Sequence, residues 1–401
     1  MIQAAKRLAS IDVFRAVNMF FMIFVNDLSG VKDVPKWIDH VKGWEDNMHF
    51  ADTIFPLFLF IAGLSIPLAI GRRLDKGESV GSIAVYILLR SFALIVMGFF
   101  HVNMEEYSKQ ALLPLGVWEL LLTTSFFLIW LDYPETMAKA KKYTLTGLGV
   151  AILIVLAILY KGDGQHGQTR WMEPSWWGIL GIIGWAYLVC SLLFLIFRGG
   201  FTAMLISVVI FLAVNVAVHG KLIHFYPPVI NDGDSESLMM FGVVISLLYT
   251  RLTAGGSYSR VWWSFILIGI GLVVLGFVLR PYTDGISKIR ATPAWVLICT
   301  GIGVVLFEFF IWLVDVKGKQ AWFNIIKPAG TSTLTCYLIP YYMVAIMYTI
   351  NFFSMKYYAI SFDYIHFFNY GAGGIIRSFG ICFIVIFITG FLEKRRLRLK
   401  I

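Results

Sequence analysis

The sequence predicts an all-α fold: a polytopic integral membrane protein with about 10–12 transmembrane helices in a single domain, residues 1–401. Three observations predict it. Hydrophobic residues make up 59% of the 401, and charged residues only 14%, against roughly 25% in an average soluble domain. Mean hydropathy is +0.78. Apolar runs of about 20 residues, the length that crosses a ~30 Å hydrocarbon core, recur along the whole chain. No long hydrophilic insert marks a second domain, and no short repeat of the solenoid kind is visible.

Taken in order, the first expected span is 11–30. It carries Asp12, Arg15 and Asn18, a poor fit to a cleaved leader, so it reads as a retained helix. The second, 51–71, opens on Asp52, and carboxylates suit helix N-termini through capping and the helix dipole. Its Pro56 falls in the first turn, where proline is tolerated. The third, 80–101, holds Arg90 near its middle. The remaining spans, 112–132, 143–160, 176–197, 201–219, 236–252, 260–280, 292–315, 330–350 and 372–392, are apolar runs long enough to cross. Cys190, Cys299, Cys336 and Cys382 all fall inside spans without CxxC spacing. They read as small core residues, and no metal is expected.

Charge orients the bundle. The net charge of +9 points to basic membrane-flanking loops, and no nucleic-acid partner is expected. One set of loop ends is rich in lysine and arginine: Lys6 and Arg7, Arg72, Arg73 and Lys76, Lys139, Lys141 and Lys142, and the run Lys394 to Lys400. The other set, with Lys32, Lys36, Lys42, Lys109, Lys288, Arg290 and Lys356, is sparser and interleaved with acids. The positive-inside rule then puts both termini in the cytoplasm and the 31–50 loop on the outer face.

Ionisable residues inside the spans need partners or a wet cavity. On a helical projection Asp12, Arg15, Met19, Met22 and Asn26 fall within roughly 80° of one another. That stripe either locks helix packing, with Asp12 and Arg15 paired three residues apart, or lines a binding path. Arg90 lies about eleven residues into its span, roughly 16 Å deep at the helical rise. It requires a carboxylate, carbonyls or a ligand anion. Glu119, Glu308 and Arg377 also sit within apolar runs, and the acids among them are candidate partners. A buried cationic path suits a phosphate-bearing ligand.

The loop between the first two spans is the most polar stretch near the membrane. It holds Asn26, Asp39, His40, Asp46, His49 and Asp52. Histidine is the side chain best suited to moving a proton near neutral pH. Acyl transfer to an amine needs a base and a donor for the oxyanion. His40, Asp52 and Asn26 are of the right types: base or nucleophile, orienting carboxylate and amide donor. A solvated surface histidine and a plain N-cap aspartate are the bland readings. Trp37, Trp44, Trp171, Trp176 and Trp177 read as an interfacial belt or a platform for a sugar.

Three segments together carry a resemblance. Arg7-Leu8-Ala9-Ser10-Ile11-Asp12-Val13-Phe14-Arg15, then Phe24-Val25-Asn26, then Ala51-Asp52-Thr53-Ile54-Phe55-Pro56-Leu57-Phe58-Leu59-Phe60-Ile61-Ala62-Gly63 resemble the heparan-α-glucosaminide N-acetyltransferase family in order and approximate spacing. The likeness covers about the first 70 residues and is to bacterial homologues. Arg90 matches an arginine of the family's third span. Lys288-Ile289-Arg290-Ala291-Thr292-Pro293-Ala294-Trp295 and 328–335 resemble later segments more weakly. Ala16 replaces the family's glycine, Leu120 falls where the family has an arginine, and the stretch from His40 to Ala51 is about two residues longer.

The resemblance implies an enzyme of the bacterial inner membrane. It would take acetyl groups from cytoplasmic acetyl-CoA and deliver them across the lipid bilayer to the amine of a terminal glucosamine or similar amino sugar. Acetyl-CoA is the expected co-substrate, a glycan amine the acceptor, and a homodimer is allowed. Catalysis is assigned to His40, Asn26 and Asp52, with His49 as the alternative histidine. Donor binding is assigned to Asp12, Arg15, Arg90 and Lys288. Two other readings stay open: a secondary transporter for a sugar or organic anion, and an O-acyltransferase acting on an envelope polysaccharide.

Overall fold

A computed structural model describes residues 8–164, 167–224, 229–254, 258–357 and 366–401. Lys6 and Arg7 of the basic set lie outside the described residues, and so does the side chain of Lys356. The helices, in order, are α1 (Ala9–Leu28), α2 (Ala51–Asp75), α3 (Val80–Val102), α4 (Leu115–Trp130), α5 (Lys139–Leu159), α6 (Gly178–Ile196) and α7 (Phe201–His219). They continue with α8 (Asp234–Thr253), α9 (Tyr258–Leu279), α10 (Pro293–Phe310), the one-turn α11 (Lys327–Thr331), α12 (Thr333–Tyr357) and α13 (Gly371–Lys394). Among the described residues, 11 helices are long and apolar enough to cross a membrane, and α4 is a shorter apolar helix. The protein is therefore an all-α polytopic membrane protein, and each of the twelve expected runs forms a helix. A π-helical turn, Ile311–Val316, continues α10.

Backbone hydrogen bonds between connectors separate the two ends of the bundle. At one end Lys32 N–H donates to Asn369 O at 3.0 Å and Ser108 N–H to Lys161 O at 2.9 Å. At the opposite end Asp132 N–H donates to Arg398 O and Lys400 N–H to Trp130 O, both at 2.8 Å. There the chain after α13 is laid against the α4–α5 connector. Asp132 also pairs with Arg398 at 3.2 Å and Lys400 at 3.3 Å.

Small residues set the helix contacts. In a bilayer the lipid is as apolar as leucine, so association depends on close packing of backbones. Three of the most extensive helix pairs each cross at a pair of glycines. A Cβ on Gly63 of α2 would collide with the Met239 carbonyl of α8, beside Gly242. A Cβ on Gly98 of α3 would meet the Gly181 backbone of α6, and one on Gly301 of α10 the Gly269 carbonyl of α9. Helix α1 packs against α2, α10, α11, α12 and α13 and is buried along most of its length. Asn18 ties it to α2 by donating to the Ile54 carbonyl at 3.1 Å. Of the stripe read from the sequence, Met19 and Met22 are buried in the bundle, Asp12 and Arg15 are half-buried, and Asn26 at its end is exposed.

Gly63→Ala is expected to destabilise the protein by more than the ~1–3 kcal/mol typical of core overpacking, because the obstruction is backbone. Gly271 on α9 has no atom within 4 Å of an added Cβ, and Gly271→Ala should leave the unfolding temperature in detergent unchanged. Equal unfolding temperatures for the two variants would refute the close-packing account.

Candidate active site

The connector between α1 and α2 has no regular structure from residue 33 to residue 50. Its shape is imposed by Asp52, in the first turn of α2, whose side chain is only 2% exposed. One carboxylate oxygen lies 2.7 Å from His40 Nδ1. The other accepts the backbone N–H groups of Val41 and His49, each at 3.1 Å. The bond from His49 reaches back three residues, as in a capping box, where the helix dipole also favours a negative charge. The Asp52 carbonyl in turn accepts Trp295 Nε1–H of α10 at 3.0 Å.

An ionised carboxylate only accepts, so the proton in the 2.7 Å contact belongs to Nδ1 and the Nε2 lone pair is left available. The His40 side chain is 32% exposed, which gives that nitrogen access to a ligand. Its backbone N–H is held by Asp39 at 2.7 Å. An aspartate-oriented, partly accessible imidazole is the arrangement of a general base or nucleophile.

The α9–α10 connector forms the other wall. Asp46 accepts Arg280 Nε–H at 2.9 Å and the Ile286 N–H at 2.6 Å. Burial pushes the Asp46 carboxyl up, but the Ile286 N–H and the Arg280 guanidinium outweigh it and hold it below the usual carboxylate range. Arg290 donates to the carbonyls of Gly43 and Glu45 and, at 3.0 Å, to that of Asp284. This clamp brings Lys288 Nζ to 3.5 Å from His40 Nδ1. Asn26 is exposed at the end of α1. Among the described residues its amide makes no hydrogen bond with His40 or Asp52. His49 contributes its backbone to Asp52, while its buried Nδ1 has no partner among the described residues.

A cavity of about 490 Å³ opens between α1, α2, α3, α6, α12 and the segment 398–401, within the ~300–1,000 Å³ typical of small-molecule sites. Arg15, Met19 and Met22 line it from α1, as the helical projection predicts, and Arg90 from α3. Arg15 donates to Ser65 Oγ at 2.6 Å and lies 3.3 Å from Asp12. Asp12 itself lines a smaller neighbouring cavity with Gln320, Asn324 and Lys327. Arg90 donates to Tyr86 at 3.0 Å and lies over the Tyr187 ring at 5.0 Å. The acids named from the sequence are elsewhere: Glu308 accepts from Tyr258 at 2.6 Å, and among the described residues no hydrogen bond or ion pair joins Glu119 to Arg90. Arg377 pairs with Asp27 at 3.2 Å.

Three buried polar atoms on the cavity's lining residues have no partner among the described residues: Arg90 Nε, Tyr187 Oη and Ser332 Oγ. Buried polar groups are seldom left unpaired, so these atoms are open to a ligand or to water. The site residues therefore divide. His40, Asp52 and Lys288 are brought together at one end, and Arg15 and Arg90 share the cavity, with Asp12 beside it. Lys288, grouped from the sequence with the donor-binding residues, stands at the histidine instead. Sequence reasoning named Asp46 and Arg290 only as members of the polar loop and the outer basic set, and missed their joining with Arg280 in a clamp and the roles of Tyr86, Tyr187 and Trp295.

A model of the heparan-alpha-glucosaminide N-acetyltransferase catalytic family matches residues 7–98. The chain is 36% identical over 100 residues to the mouse (Mus musculus) heparan-alpha-glucosaminide N-acetyltransferase, a stretch covering 25% of this chain and 14% of that protein. It is 37% identical over 97 residues to the human (Homo sapiens) enzyme of the same name, covering 24% of this chain and 14% of that protein. The matched stretch contains Asp12, Arg15, Asn26, His40, Asp52 and Arg90, and through this N-terminal quarter the chain is similar to the heparan-alpha-glucosaminide N-acetyltransferase family, while spanning only about a seventh of the length of those relatives.

Proposed function

We propose that this protein is a transmembrane acetyltransferase. It takes an acetyl group from acetyl-CoA at the cytoplasmic face and passes it to the amine of a terminal glucosamine or similar amino sugar at the outer face. The observation that carries this reading is the His40–Asp52 pair at one end of the bundle, together with a cavity between the helices lined by Arg15, Arg90 and Arg398. Phe58, at the cavity's edge, is six residues along α2 from Asp52, about 9 Å at the helical rise. Met22 is four residues from the end region of α1 marked by Asn26, about 6 Å.

The cavity's chemistry fits the donor. Arg15 and Arg90 offer guanidinium groups to phosphates, which arginine holds with paired N–H donors. The unpaired Tyr187 and Ser332 hydroxyls offer donors and acceptors for amide or phosphate groups, and Met19, Met22, Phe58, Ile61 and Leu94 accommodate an apolar arm. Acetyl-CoA supplies the activated thioester. The basic ends of the connectors at 72–76, 139–142 and 394–400, the last of which lines the cavity, support a cytoplasmic placement of this end by the positive-inside rule.

At the other end, Asp52 keeps His40 in the tautomer with Nε2 unprotonated. In a direct transfer, Nε2 removes the proton that the sugar amine sheds as its nitrogen bonds to the acetyl carbon and the thiolate departs. In a two-step transfer, Nε2 bonds to the acetyl carbon as the thiolate departs, and the amine then displaces the imidazole, whose freed Nε2 takes the proton the amine sheds. Trapping of an acetylated His40 with donor alone identifies the second route.

With purified protein, labelled acetyl-CoA and a panel of amino sugars, His40→Ala should lower transfer at least about 10²–10⁴-fold, the usual contribution of a general base. Donor binding should persist. Full activity in that variant would refute the assignment and turn attention to His49. Arg90→Met should weaken donor binding by about tenfold or more, as expected for one charged hydrogen-bonding group of ~1.5–3 kcal/mol. A folded variant with unchanged donor affinity removes Arg90 from the site.

A further inference from the structure

We infer that Lys288 is a positioning residue of the transfer centre: a clamped cation against the His40–Asp52 pair that keeps the imidazole free to accept the amine's proton. The inference rests on the acetyl-transfer reading above and assigns a third member to its outer site.

The geometry separates Lys288 from an ordinary surface lysine. Its Nζ is 3.5 Å from His40 Nδ1. Because Nδ1–H donates to Asp52 at 2.7 Å, this is a contact of charge with the ring and its carboxylate, with no lone pair on Nδ1 to receive a proton. The connector carrying Lys288 is pinned on both sides. Upstream, Arg280 and the Ile286 N–H hold Asp46. Downstream, Arg290 holds the Gly43 carbonyl, and Asn215 of α7 donates to the Ala291 carbonyl at 3.0 Å. Ser287 N–H donates to Thr292 Oγ1 at 3.0 Å. The ammonium is therefore delivered by a rigid frame.

The groups that face this centre are few. Asp39 and His49 come from its own connector and Asp52 from α2. Lys288 comes from the α9–α10 connector, and Cys299 of α10 lies behind Lys288 and Asp52. Arg280 and Arg290 are committed to Asp46 and to backbone carbonyls. Among the described residues Lys288 is thus the cation in contact with His40. Burial pushes its ammonium toward losing a proton, and the Asp52 carboxylate opposes that loss.

The consequence follows from sign alone. A positive charge beside the ring disfavours a second proton on it, whereas Asp52 favours one. With Lys288 present the two influences oppose one another at the ring. With Lys288 gone, Asp52 acts unopposed and the imidazolium is retained to higher pH. Transfer then requires a more alkaline medium, because the base is unprotonated only above that point.

The test is the rate–pH profile of acetyl transfer at saturating donor and acceptor, using the full-length protein in detergent. Lys288→Met should move the acid limb upward by about one pH unit, which is about tenfold in rate on that limb. The KM for acetyl-CoA should stay near the wild-type value. Lys288→Arg should keep the limb in place by restoring the charge. A wild-type profile for Lys288→Met overturns the inference. So does an equal loss in both variants with a matching fall in unfolding temperature, which marks a packing role. If the wild-type protein transfers no acetyl group to any amine, the acetyltransferase reading fails first and the inference falls with it.

Discussion

The Asp52 carboxylate ties the first connector to the second helix, and the rest of the site is arranged around it. Two of its bonds go to backbone N–H groups at Val41 and His49. Those bonds curl the connector back over the start of α2. The third goes to the His40 ring, so the same charge that shapes the chain also orients the imidazole. A buried carboxylate needs such a set of donors, since an unpaired one costs several kcal/mol. Shape and chemistry are consequently not separable at this residue. Replacing it would release the loop as well as the ring.

The membrane imposes the complementary constraint. Helices pack through glycine pairs such as Gly63–Gly242 and Gly98–Gly181, which bring backbones close and leave little room for solvent. Against that background, a polar-lined cavity beside the central α1 helix is costly unless something fills it. Arg90 meets the requirement partly with tyrosines, through the Tyr86 hydroxyl and the Tyr187 ring. Tyrosine is a neutral partner, so the charge of the guanidinium is left uncompensated. A carboxylate at the same place would cancel it.

Much of the architecture was legible in the sequence because membrane spans are encoded by length and apolarity, which are local properties. Each expected run is a helix, including 112–132, where α4 is shorter than a typical span. The stripe Arg15, Met19 and Met22 was legible too, since helical periodicity alone puts those residues on one face. His40 and His49 were harder to separate. Both lie in the same irregular connector, and the difference is that one offers its ring to Asp52 and the other its backbone. No sequence pattern encodes that distinction, and only the resemblance around Asn26 and Ala51-Asp52 favoured His40. The clamp was not legible at all. Asp46 and Arg280 are separated by 234 positions, and charges in polar connectors form no periodic signal.

The clamp explains how an irregular loop holds the His40 ring in place. A connector of this kind has few hydrogen bonds of its own, and loops are ordinarily the mobile part of a protein. Here it is fastened to α2 by Asp52, to the chain before α13 by the Lys32–Asn369 bond, and to the α9–α10 connector by Asp46 and Arg290. The fastening residues come from helices far apart in the chain, so the site is completed only when the whole bundle has assembled. Trp295 adds the last constraint by holding the Asp52 carbonyl from α10. The segment from Lys288 to Trp295 therefore supplies both a charge at the ring and a brace behind the carboxylate. An N-terminal stretch that carries the family likeness thus depends, for the geometry of its own histidine, on a segment outside that stretch.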